Sequence, residues 1–362
     1  MRKAPLFWAV MTLLLGLFIA QQILPERENS EMEKRVLATR PSLSLSAMAG
    51  SQWADSFEAF VADQLPLRDV FVSAYAEFQA LTGHRLINGV ILGRDGWMFS
   101  RTDSLTERNV QLNAQALAEL SALTGVPAYL LAVPSAAEVY REKAPAGAPL
   151  AREEELIAAA AREAPLIPLL PALRQAREEQ PLYYRSDHHW TLAGARLGYL
   201  AACQALGLSP LPPGKTEDAP GFYGTFYARC PRPGFQPDDF SFDVGEGLCL
   251  LIDGQEMDGL VDREQLKRPD RYAALLYGNH GLVELINPAV ETGTLFVLKD
   301  SYANALLPSL ARHYHRIVAV DARYFSGNVV DTLNECKGDA VLCVCGVTSL
   351  GFGREFALLE GL

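Results

Sequence analysis

The sequence has no surplus of positive charge. Its 32 Lys and Arg residues are outnumbered by 43 Asp and Glu residues, which gives a formal net charge of −11 at pH 7. An acidic surface repels phosphate backbones, so binding to DNA or RNA would require a local basic patch. The sequence contains no such patch, which argues against a nucleic-acid-binding protein.

Cysteine is scarce as well. The chain has 6 Cys residues, and none of them forms a CxxC motif or a second pair at zinc-site spacing. We interpret them as small buried side chains, with room for one disulfide bridge outside the cytoplasm. Two of them alternate along an apolar run, which predicts that both point to one face of a strand. The six are Cys203, Cys230, Cys249, Cys336 and the alternating pair Cys343 and Cys345.

Long apolar runs are missing except near the beginning of the chain. There, two basic residues precede an apolar run over residues 5–20. Extension to residue 24 gives about 20 residues, enough for a helix to span a bilayer. Phe18 is bulky for a signal-peptidase site ending at Ala20, which favours an uncleaved anchor over residues 1–25; secretion after cleavage is the alternative. The basic residues predict a cytoplasmic N-terminus, with the remainder of the chain outside the cytoplasm.

The rest of the composition is that of a folded protein. Apolar residues make up 49% of the chain and charged residues 21%, while 28 Gly and 22 Pro follow no repeat. Disordered and fibrous classes are therefore excluded. We expect a polar stalk over residues 26–50 and one extracytoplasmic domain over 51–362, with an irregular Gly- and Pro-rich insertion at 211–242.

Predicted strands and helices alternate along this domain. Short continuous apolar runs of this kind are typical of parallel strands buried on both faces. The pattern predicts an α/β fold with a mostly parallel, doubly wound sheet and helices on both faces. Strands are predicted at 128–133, 294–298, 316–320 and 340–345, helices at 152–163, 168–178, 191–206 and 303–313, and a β-hairpin at 90–99.

Ser301 is the sharpest nucleophile candidate. It follows a predicted strand and opens a predicted helix, and in open α/β sheets the working groups gather beyond the carboxyl ends of strands. At such a turn its hydroxyl would be presented for attack, and its own N–H could stabilise an oxyanion. The alternative is that Ser301 only caps the helix, an ordinary role for serine.

A second cluster supplies what a serine nucleophile needs. Asp187 and His189 lie two residues apart just before a predicted helix. A serine requires a base to accept its proton, and the base requires an acceptor that holds its tautomer. A hydrolytic triad is the leading interpretation. A metal site and a capping Asp beside a structural His are the alternatives, and the other histidines are too dispersed to complete a metal site.

Three separated motifs occur at residues 187–190, 299–304 and 320–325, supported by residues 63–69, the hairpin 93–99 and residues 277–281. In this combination they resemble the DHHW protein family, relatives of the SGNH hydrolase-like alginate O-acetylation proteins. The resemblance implies an SGNH-type α/β fold, permuted so that the Asp/His segment precedes the serine. It also implies acetyl transfer to or from a glycan outside the membrane, usually alongside a membrane-bound O-acyltransferase.

Carried over residue by residue, the resemblance makes Ser301 the nucleophile, His189 the general base and Asp187 its orienting carboxylate. His188 occupies the variable position of the motif and is not the base. The resemblance also suggests Asn279 as an oxyanion donor, with a turn residue as the alternative.

The same resemblance suggests that Arg323 and Tyr324 contact substrate, since a guanidinium near the site could bind an anionic sugar. The alternative for Arg323 is a buried side chain tied to the end of the sheet. We expect no metal and no cofactor.

The leading functional hypothesis is an O-acetyltransferase that acts on a cell-surface polysaccharide through an acetyl-serine intermediate. Two alternatives stay open. The same triad could use water as acceptor, which would make the protein a glycan acetyl-esterase. The protein could instead be a non-catalytic component of glycan assembly at the cell envelope.

Overall fold

The computed structural model describes residues 4–42 and 51–353, and the chain divides into two units. Unit 1 comprises Met1–His84 together with Ala228–Phe235. Unit 2 comprises Arg85–Tyr227 together with Gln236–Leu362. The division falls after His84, whereas the sequence placed the start of the main domain at residue 51. Part of the predicted stalk, residues 43–50, lies outside the described residues.

Unit 1 contains three helices and one short hairpin among its described residues. Helix α1 is 19 residues long, has a mean hydropathy of 1.9, and is long and apolar enough to cross a membrane. This agrees with the predicted apolar segment, and by length and composition it suits an anchor or a signal sequence. The elements are α1 (Pro5–Ile23), β1 (Asn29–Ser30), β2 (Arg35–Val36), α2 (Ser51–Asp63) and α3 (Arg68–Leu81).

Asp63 explains why α2 packs with the segment that follows α1. Its carboxylate accepts hydrogen bonds from Arg35 Nη1 at 2.8 Å and Nη2 at 2.5 Å, and from the backbone N–H of Ala38 at 2.8 Å. The hydrogen bond from Arg35 lowers the pKa of Asp63 to about 2. Residues that the sequence assigned to a stalk are therefore tied to the end of α2.

Unit 2 is built on a seven-stranded mixed sheet. Its strands are β6 (Ala128–Val133), β9 (Cys249–Ile252), β10 (Gln255–Glu256), β11 (Leu282–Ile286), β12 (Thr294–Lys299), β13 (Arg316–Val320) and β14 (Ala340–Gly346). Their order across the sheet is β10–β9–β11–β13–β12–β14–β6. Strands β13, β12, β14 and β6 pair in parallel, as predicted. The other edge is antiparallel and was not predicted. Outside this sheet lie β3 (Leu86–Ile87), β4 (Val90–Leu92), β5 (Met98–Ser100), β7 (Thr216–Asp218) and β8 (Ser241–Asp243).

Helices cover both faces of the sheet, as predicted. Along β6, Leu131 and Val133 join one apolar core, whereas Leu130 and Ala132 join the core on the opposite face. The helices are α4 (Glu107–Thr124), α5 (Ala136–Val139), α6 (Glu153–Ala160), α7 (Leu170–Ala176), α8 (Leu192–Leu206), α9 (Thr225–Arg229), α10 (Leu307–Ala311), α11 (Val329–Cys336) and α12 (Val347–Phe352). Short 3₁₀ turns occupy Arg141–Lys143, Gln265–Lys267, Tyr272–Ala274 and Ser301–Ala305.

Two local predictions differ from the structure. The helix expected over 303–313 is divided into the 3₁₀ turn Ser301–Ala305 and α10, because Pro308 lacks the N–H that a continuous helix requires. The insertion at 211–242 is not wholly irregular, since it carries β7, α9 and β8. All six cysteines lie among the described residues, and none of the six is in a disulfide. Cys343 and Cys345 share one face of β14, with their Sγ atoms 3.8 Å apart.

Candidate active site

Ser301 lies at the carboxyl end of β12, in the turn that follows the strand. Asp300 holds this turn, because its Oδ1 accepts from the backbone N–H of Tyr302 at 2.9 Å and its Oδ2 accepts from that of Gly346 at 2.8 Å. Gly346 ends the neighbouring parallel strand β14. Ser301 is the first residue of its 3₁₀ turn, so its own N–H has no partner within the turn and can point toward a ligand.

The structure brings Asp187, His189 and Ser301 together. His189 Nδ1 lies 2.6 Å from Asp187 Oδ1, and His189 Nε2 lies 2.7 Å from Ser301 Oγ. Asp187 is 1% exposed and His189 is 5% exposed, so little water competes for these hydrogen bonds. With Nδ1 protonated, His189 donates to Asp187 and accepts the serine hydroxyl proton on Nε2. This is the geometry that activates a serine nucleophile.

The carboxylate of Asp187 is held by the insertion as well as by its own segment. Its Oδ2 accepts from the backbone N–H of Thr225 at 2.6 Å, and its Oδ1 accepts from that of His189 at 3.0 Å. Gly224 has no space for a side chain, because a Cβ there would lie 2.3 Å from Asp187 Cβ and 2.4 Å from the Ser186 carbonyl oxygen. The Gly-rich stretch thus allows close approach of one backbone to another.

The segment that carries His189 interlocks with the turn that carries Ser301. Trp190 is fully buried, and its Nε1–H donates to the Tyr302 carbonyl oxygen at 3.0 Å. In return, the Tyr302 hydroxyl donates to the His188 carbonyl oxygen at 2.5 Å. Two reciprocal hydrogen bonds between residues that flank the base and the nucleophile therefore fix the distance between His189 and Ser301.

Tyr272 packs against one face of the His189 imidazole. Its ring stacks on the His189 ring with a centroid separation of 3.6 Å and an interplanar angle of 8°. Burial raises the pKa of Tyr272 well above its ordinary value, so the hydroxyl stays protonated and donates to the Ser301 carbonyl oxygen at 3.0 Å. Tyr272 thus contacts both the base and the nucleophile's backbone.

The geometry also bears on the metal interpretation. Ligand atoms of Asp187, His188 and His189 lie within 4.8 Å of one another, close enough to share an ion. Both ring nitrogens of His189 are, however, engaged by Asp187 and Ser301, and the Nδ1 of His188 lies 2.9 Å from Thr225 Oγ1. A metal would have to displace one of the contacts that a triad requires.

Asn279 is connected to the turn that carries Ser301 through the side-chain amide of Asn304. The Nδ2 of Asn304 donates to the Gly278 carbonyl oxygen at 3.1 Å and lies 3.4 Å from Asn279 Oδ1. Asn279 itself is exposed. The turn before it is left-handed at three successive residues, with φ of 52° at Leu276, 59° at Tyr277 and 97° at Gly278. Its assignment as an oxyanion donor remains a prediction.

Lys299, the last residue of β12, holds the side chain of Asn304 in place by a hydrogen bond. It is 1% exposed, and its Nζ donates to Asn304 Oδ1 at 2.9 Å and lies 3.9 Å from Asp321 Oδ2. Burial lowers the pKa of Lys299 to about 8, and the Asp321 carboxylate opposes this shift. A buried ammonium and a buried carboxylate thus lie close to the turn that carries Ser301.

Arg323 is placed as a partner of Asp321 rather than as a free cation. Its Nε and Nη2 donate to the two oxygens of the fully buried Asp321 at 2.8 and 2.7 Å, which raises the pKa of Arg323 above its ordinary value. The guanidinium carbon lies 5.4 Å from the Tyr324 ring, and Tyr324 is 58% exposed. A substrate-binding role for this pair remains a prediction.

Four residues that shape the site were not identified from the sequence. Tyr272, Gly224 and Asn304 act through contacts distant in the chain, and no local pattern marks such contacts. Lys299 does carry a local signal, because a lysine directly after a continuous apolar strand must be buried or must lie at the edge of the sheet.

A mixed sheet with a parallel core, helices on both faces and a Ser–His–Asp cluster beyond its carboxyl edge form an α/β architecture similar to that of SGNH hydrolase-like proteins, so the predicted fold class is confirmed. Residues 90–234 match the model of the SGNH hydrolase-like domain of acetyltransferase AlgX. Residues 166–320 match the model of the DHHW proteins. The resemblance to the DHHW family and to the alginate O-acetylation proteins is therefore confirmed.

Individual relatives agree with these matches. The chain is 28% identical over 174 residues to the probable alginate O-acetylase AlgJ of Pseudomonas aeruginosa, and this alignment spans 44% of each chain. A DHHW family protein from Eubacterium siraeum superposes with a TM-score of 0.65 at 22% identity, covering 76% of this chain and 95% of that one. PatB1 of Bacillus cereus superposes with a TM-score of 0.62 at 18% identity, covering 74% and 98%.

Proposed function

We propose that this protein is an O-acetyltransferase that acetylates a polysaccharide outside the cytoplasm through an acetyl-serine intermediate. The observation that carries the proposal is the position of His189, whose ring nitrogens bridge Asp187 and Ser301 at 2.6 and 2.7 Å. The matches to acetyltransferase AlgX and to an alginate O-acetylase support acetyl as the transferred group. The proposal that the acceptor is a polysaccharide rests on the same relatives. The chain aligns with less than half of the length of the alginate O-acetylase.

In the first half-reaction Ser301 Oγ attacks the carbonyl carbon of an acetyl donor. His189 Nε2 takes the hydroxyl proton, and Asp187 stabilises the imidazolium that forms. The Ser301 N–H, and in our proposal the Asn279 amide, donate to the oxyanion. When the bond to the leaving group breaks, His189 returns its proton to that group, and an acetyl ester remains on Ser301.

In the second half-reaction a sugar hydroxyl replaces the departed group. His189 accepts the proton of that hydroxyl, whose oxygen attacks the acetyl carbon of the modified serine. The Ser301 oxygen then leaves with the proton held by His189. The sugar ester is released, and the enzyme returns to its starting protonation state.

We further propose that residues 1–25 form an uncleaved anchor, with the N-terminus in the cytoplasm and the remainder of the chain outside. The apolar helix α1 supports this location by its length and composition. In this arrangement a membrane-bound O-acyltransferase delivers the acetyl group across the bilayer, and Ser301 receives it at the outer surface.

Hydrolysis of an aryl acetate by the full-length protein tests the nucleophile. Ser301→Ala should lower kcat by a factor on the order of 10⁴ or more, because the covalent step is lost. Ser309→Ala is the control, since Ser309 is a buried serine that lies eight residues further along and is not in the triad. Wild-type turnover by Ser301→Ala would refute the mechanism.

The acetyl content of the surface polysaccharide tests the direction of transfer. We expect less acetyl in a strain that lacks the protein, and the same low level in a Ser301→Ala strain. More acetyl in both strains would identify an esterase that uses water as acceptor. A phenotype of the deletion strain that Ser301→Ala does not reproduce would identify a non-catalytic assembly protein.

A further inference from the structure

Helix α3 in unit 1 turns its apolar side outward. Six large apolar residues along it are between 44% and 78% exposed. Their spacing of three and four residues places them on one side of the helix. This outward face, which we call the α3 stripe, consists of Leu67, Val70, Phe71, Tyr75, Phe78 and Leu81.

The charged residues of the same helix form ion pairs within unit 1. The guanidinium of Arg68 donates to both oxygens of Glu33 at 2.7 and 3.0 Å. Glu77 accepts from Arg232 at 2.7 and 3.1 Å. The residues most buried in the helix are Ala76 and Ala80. A helix on a water-exposed surface normally buries its apolar side and exposes its polar side, and α3 has the opposite arrangement.

The size of the α3 stripe distinguishes it from ordinary surface apolar residues. Single exposed apolar side chains are common, but contiguous patches of about 300–600 Å² mark interaction sites. Three aromatic rings, each able to bury roughly 150–250 Å², bring the stripe into that range. No charged side chain lies on the stripe, so an acidic or basic partner surface would find no complementary group.

Hydrogen bonds within unit 1 join the end of α1 to α2, and join the segment after α1 to the beginning of α3. The side chain of Gln21, in the last turns of α1, donates to the carbonyl oxygens of Phe60 and Val61 at 3.4 Å. Arg27 Nη1 then pairs with Asp69 Oδ2, in the first turn of α3, at 3.1 Å. The apolar helix and the α3 stripe are therefore parts of one structure, and a membrane that receives α1 lies close to the start of α3.

We propose that the α3 stripe lies against the lipid bilayer that α1 enters, at the boundary between headgroups and acyl chains. This inference rests on the proposed membrane location of α1. The helix has 14 residues, so its stripe contacts the surface over about 21 Å. Helices with one apolar side bind bilayers in this way, and their affinity grows with the apolar area buried. Two attachments, one spanning and one interfacial, restrict the tilt of unit 1 more than a single span does.

Photo-crosslinking of the full-length protein in phosphatidylcholine vesicles tests the inference. A p-benzoylphenylalanine side chain replaces Phe71, Tyr75 or Phe78, one position at a time. After irradiation we expect protein carrying the added mass of a phospholipid. The same label at Val72, half-buried on the opposite side of the helix, should give no lipid adduct.

A label at Leu14, in the middle of α1, separates this inference from the proposed membrane location. If Leu14 labels lipid and the stripe positions do not, the inference about α3 is wrong while the anchor stands. If Leu14 also fails to label lipid, the proposed location itself is wrong. In cell membranes, adducts of the stripe with another protein or with a second copy of this chain would also overturn the proposal. Unchanged aryl acetate hydrolysis by the labelled proteins verifies that they are folded.

Discussion

The two sides of Ser301 are built in different ways. On the side of Asp187 and His189, both side chains are buried and contact each other directly, and His189 also contacts Ser301 directly. On the other side, Asn279 is exposed and is linked to the catalytic turn through the side chain of Asn304. The first side holds its geometry before any substrate arrives. The second lies beside a turn that is left-handed at Leu276, Tyr277 and Gly278.

This difference assigns separate tasks to the two sides. Proton transfer requires a fixed distance between His189 and Ser301, which the reciprocal hydrogen bonds of Trp190 and Tyr302 provide. Acceptor choice requires space for a sugar hydroxyl, which an exposed turn can leave open. Substitutions on the acid–base side should therefore lower kcat most, and those on the Asn279 side should have smaller effects.

Asp187→Asn should give the largest effect in this comparison. An amide at this position favours the wrong imidazole tautomer, and comparable changes in other triads lower kcat by about 10⁴. Aryl acetate hydrolysis at saturating substrate measures this loss. Asp239→Asn, an exposed neighbour in the same unit, is the control and should retain activity. A loss below tenfold for Asp187→Asn would mean that Asp187 does not orient the base.

Asn279→Ala should have an intermediate effect if its amide donates to the oxyanion. Removal of one such donor lowers kcat by roughly 10²–10³ in other enzymes, with little change in KM. The separate measurement of kcat and KM decides, because loss of sugar binding would raise KM instead. An unchanged kcat would leave the Ser301 N–H as the principal donor and reduce Asn279 to a turn residue.

Asn304→Ala should have a smaller effect than Asn279→Ala, on the order of tenfold in kcat. It removes the acceptor of Lys299 at 2.9 Å and the donor to the Gly278 carbonyl oxygen, but leaves the Asn279 amide in place. Asn304→Asp tests whether an acceptor for Lys299 is enough to hold the turn. A decrease as large as that of Asp187→Asn would contradict the indirect role given to this residue.

Glu153→Gln extends the comparison to a buried carboxyl that lies outside the Asp187, His189 and Ser301 cluster. Burial raises the pKa of Glu153 from 4.5 to about 7, and its oxygens accept from the N–H and hydroxyl of Ser135 at 2.7 and 2.5 Å. The folded state therefore holds this proton more tightly than the unfolded state. Its contribution to stability is greatest below pH 4.5 and falls as the pH rises toward 7, by up to about 3 kcal/mol.

In Glu153→Gln this pH dependence should disappear, while aryl acetate hydrolysis should change little. Denaturant unfolding of both proteins between pH 4.5 and pH 8 measures the effect. If the difference in unfolding free energy between the two proteins stayed constant over that range, the proton would not be held as described. A large loss of activity would instead connect the end of β6 to the catalytic turn.

The parts of the fold that local sequence determines were predicted well. The strands over 128–133 and 316–320 have the predicted bounds, because continuous apolar runs between polar or Pro residues leave little choice. The antiparallel strands β9 and β11 were missed, because each is short and half-exposed and lies in a stretch rich in Gly, Asp and Asn. β11 pairs with β13 and β9 pairs with β11, and no local pattern encodes these contacts.

The residues of the site also separate into those that local sequence predicts and those that depend on contacts distant in the chain. That Asp187, His189 and Ser301 lie together could be predicted, because each precedes or opens a helix or helical turn and because the chemistry requires that combination. The choice of His189 over His188 came from the resemblance to the DHHW family. Tyr272 could not, since a ring that stacks on an imidazole has the same local pattern as a ring in the core. Gly224 could not either, because only the folded structure shows which backbone approaches it.

An acetyl group trapped on Ser301 would test the central claim most directly. The full-length protein is incubated with an aryl acetate, quenched in acid, digested and analysed by mass spectrometry, with Ser301→Ala and Asp187→Asn in parallel. We predict that the wild-type peptide containing Ser301 gains the mass of one acetyl group, that Asp187→Asn accumulates it more slowly, and that Ser301→Ala gains none. Turnover of the acetate with no modified Ser301, or equal labelling of Ser301→Ala at another residue, would contradict the account.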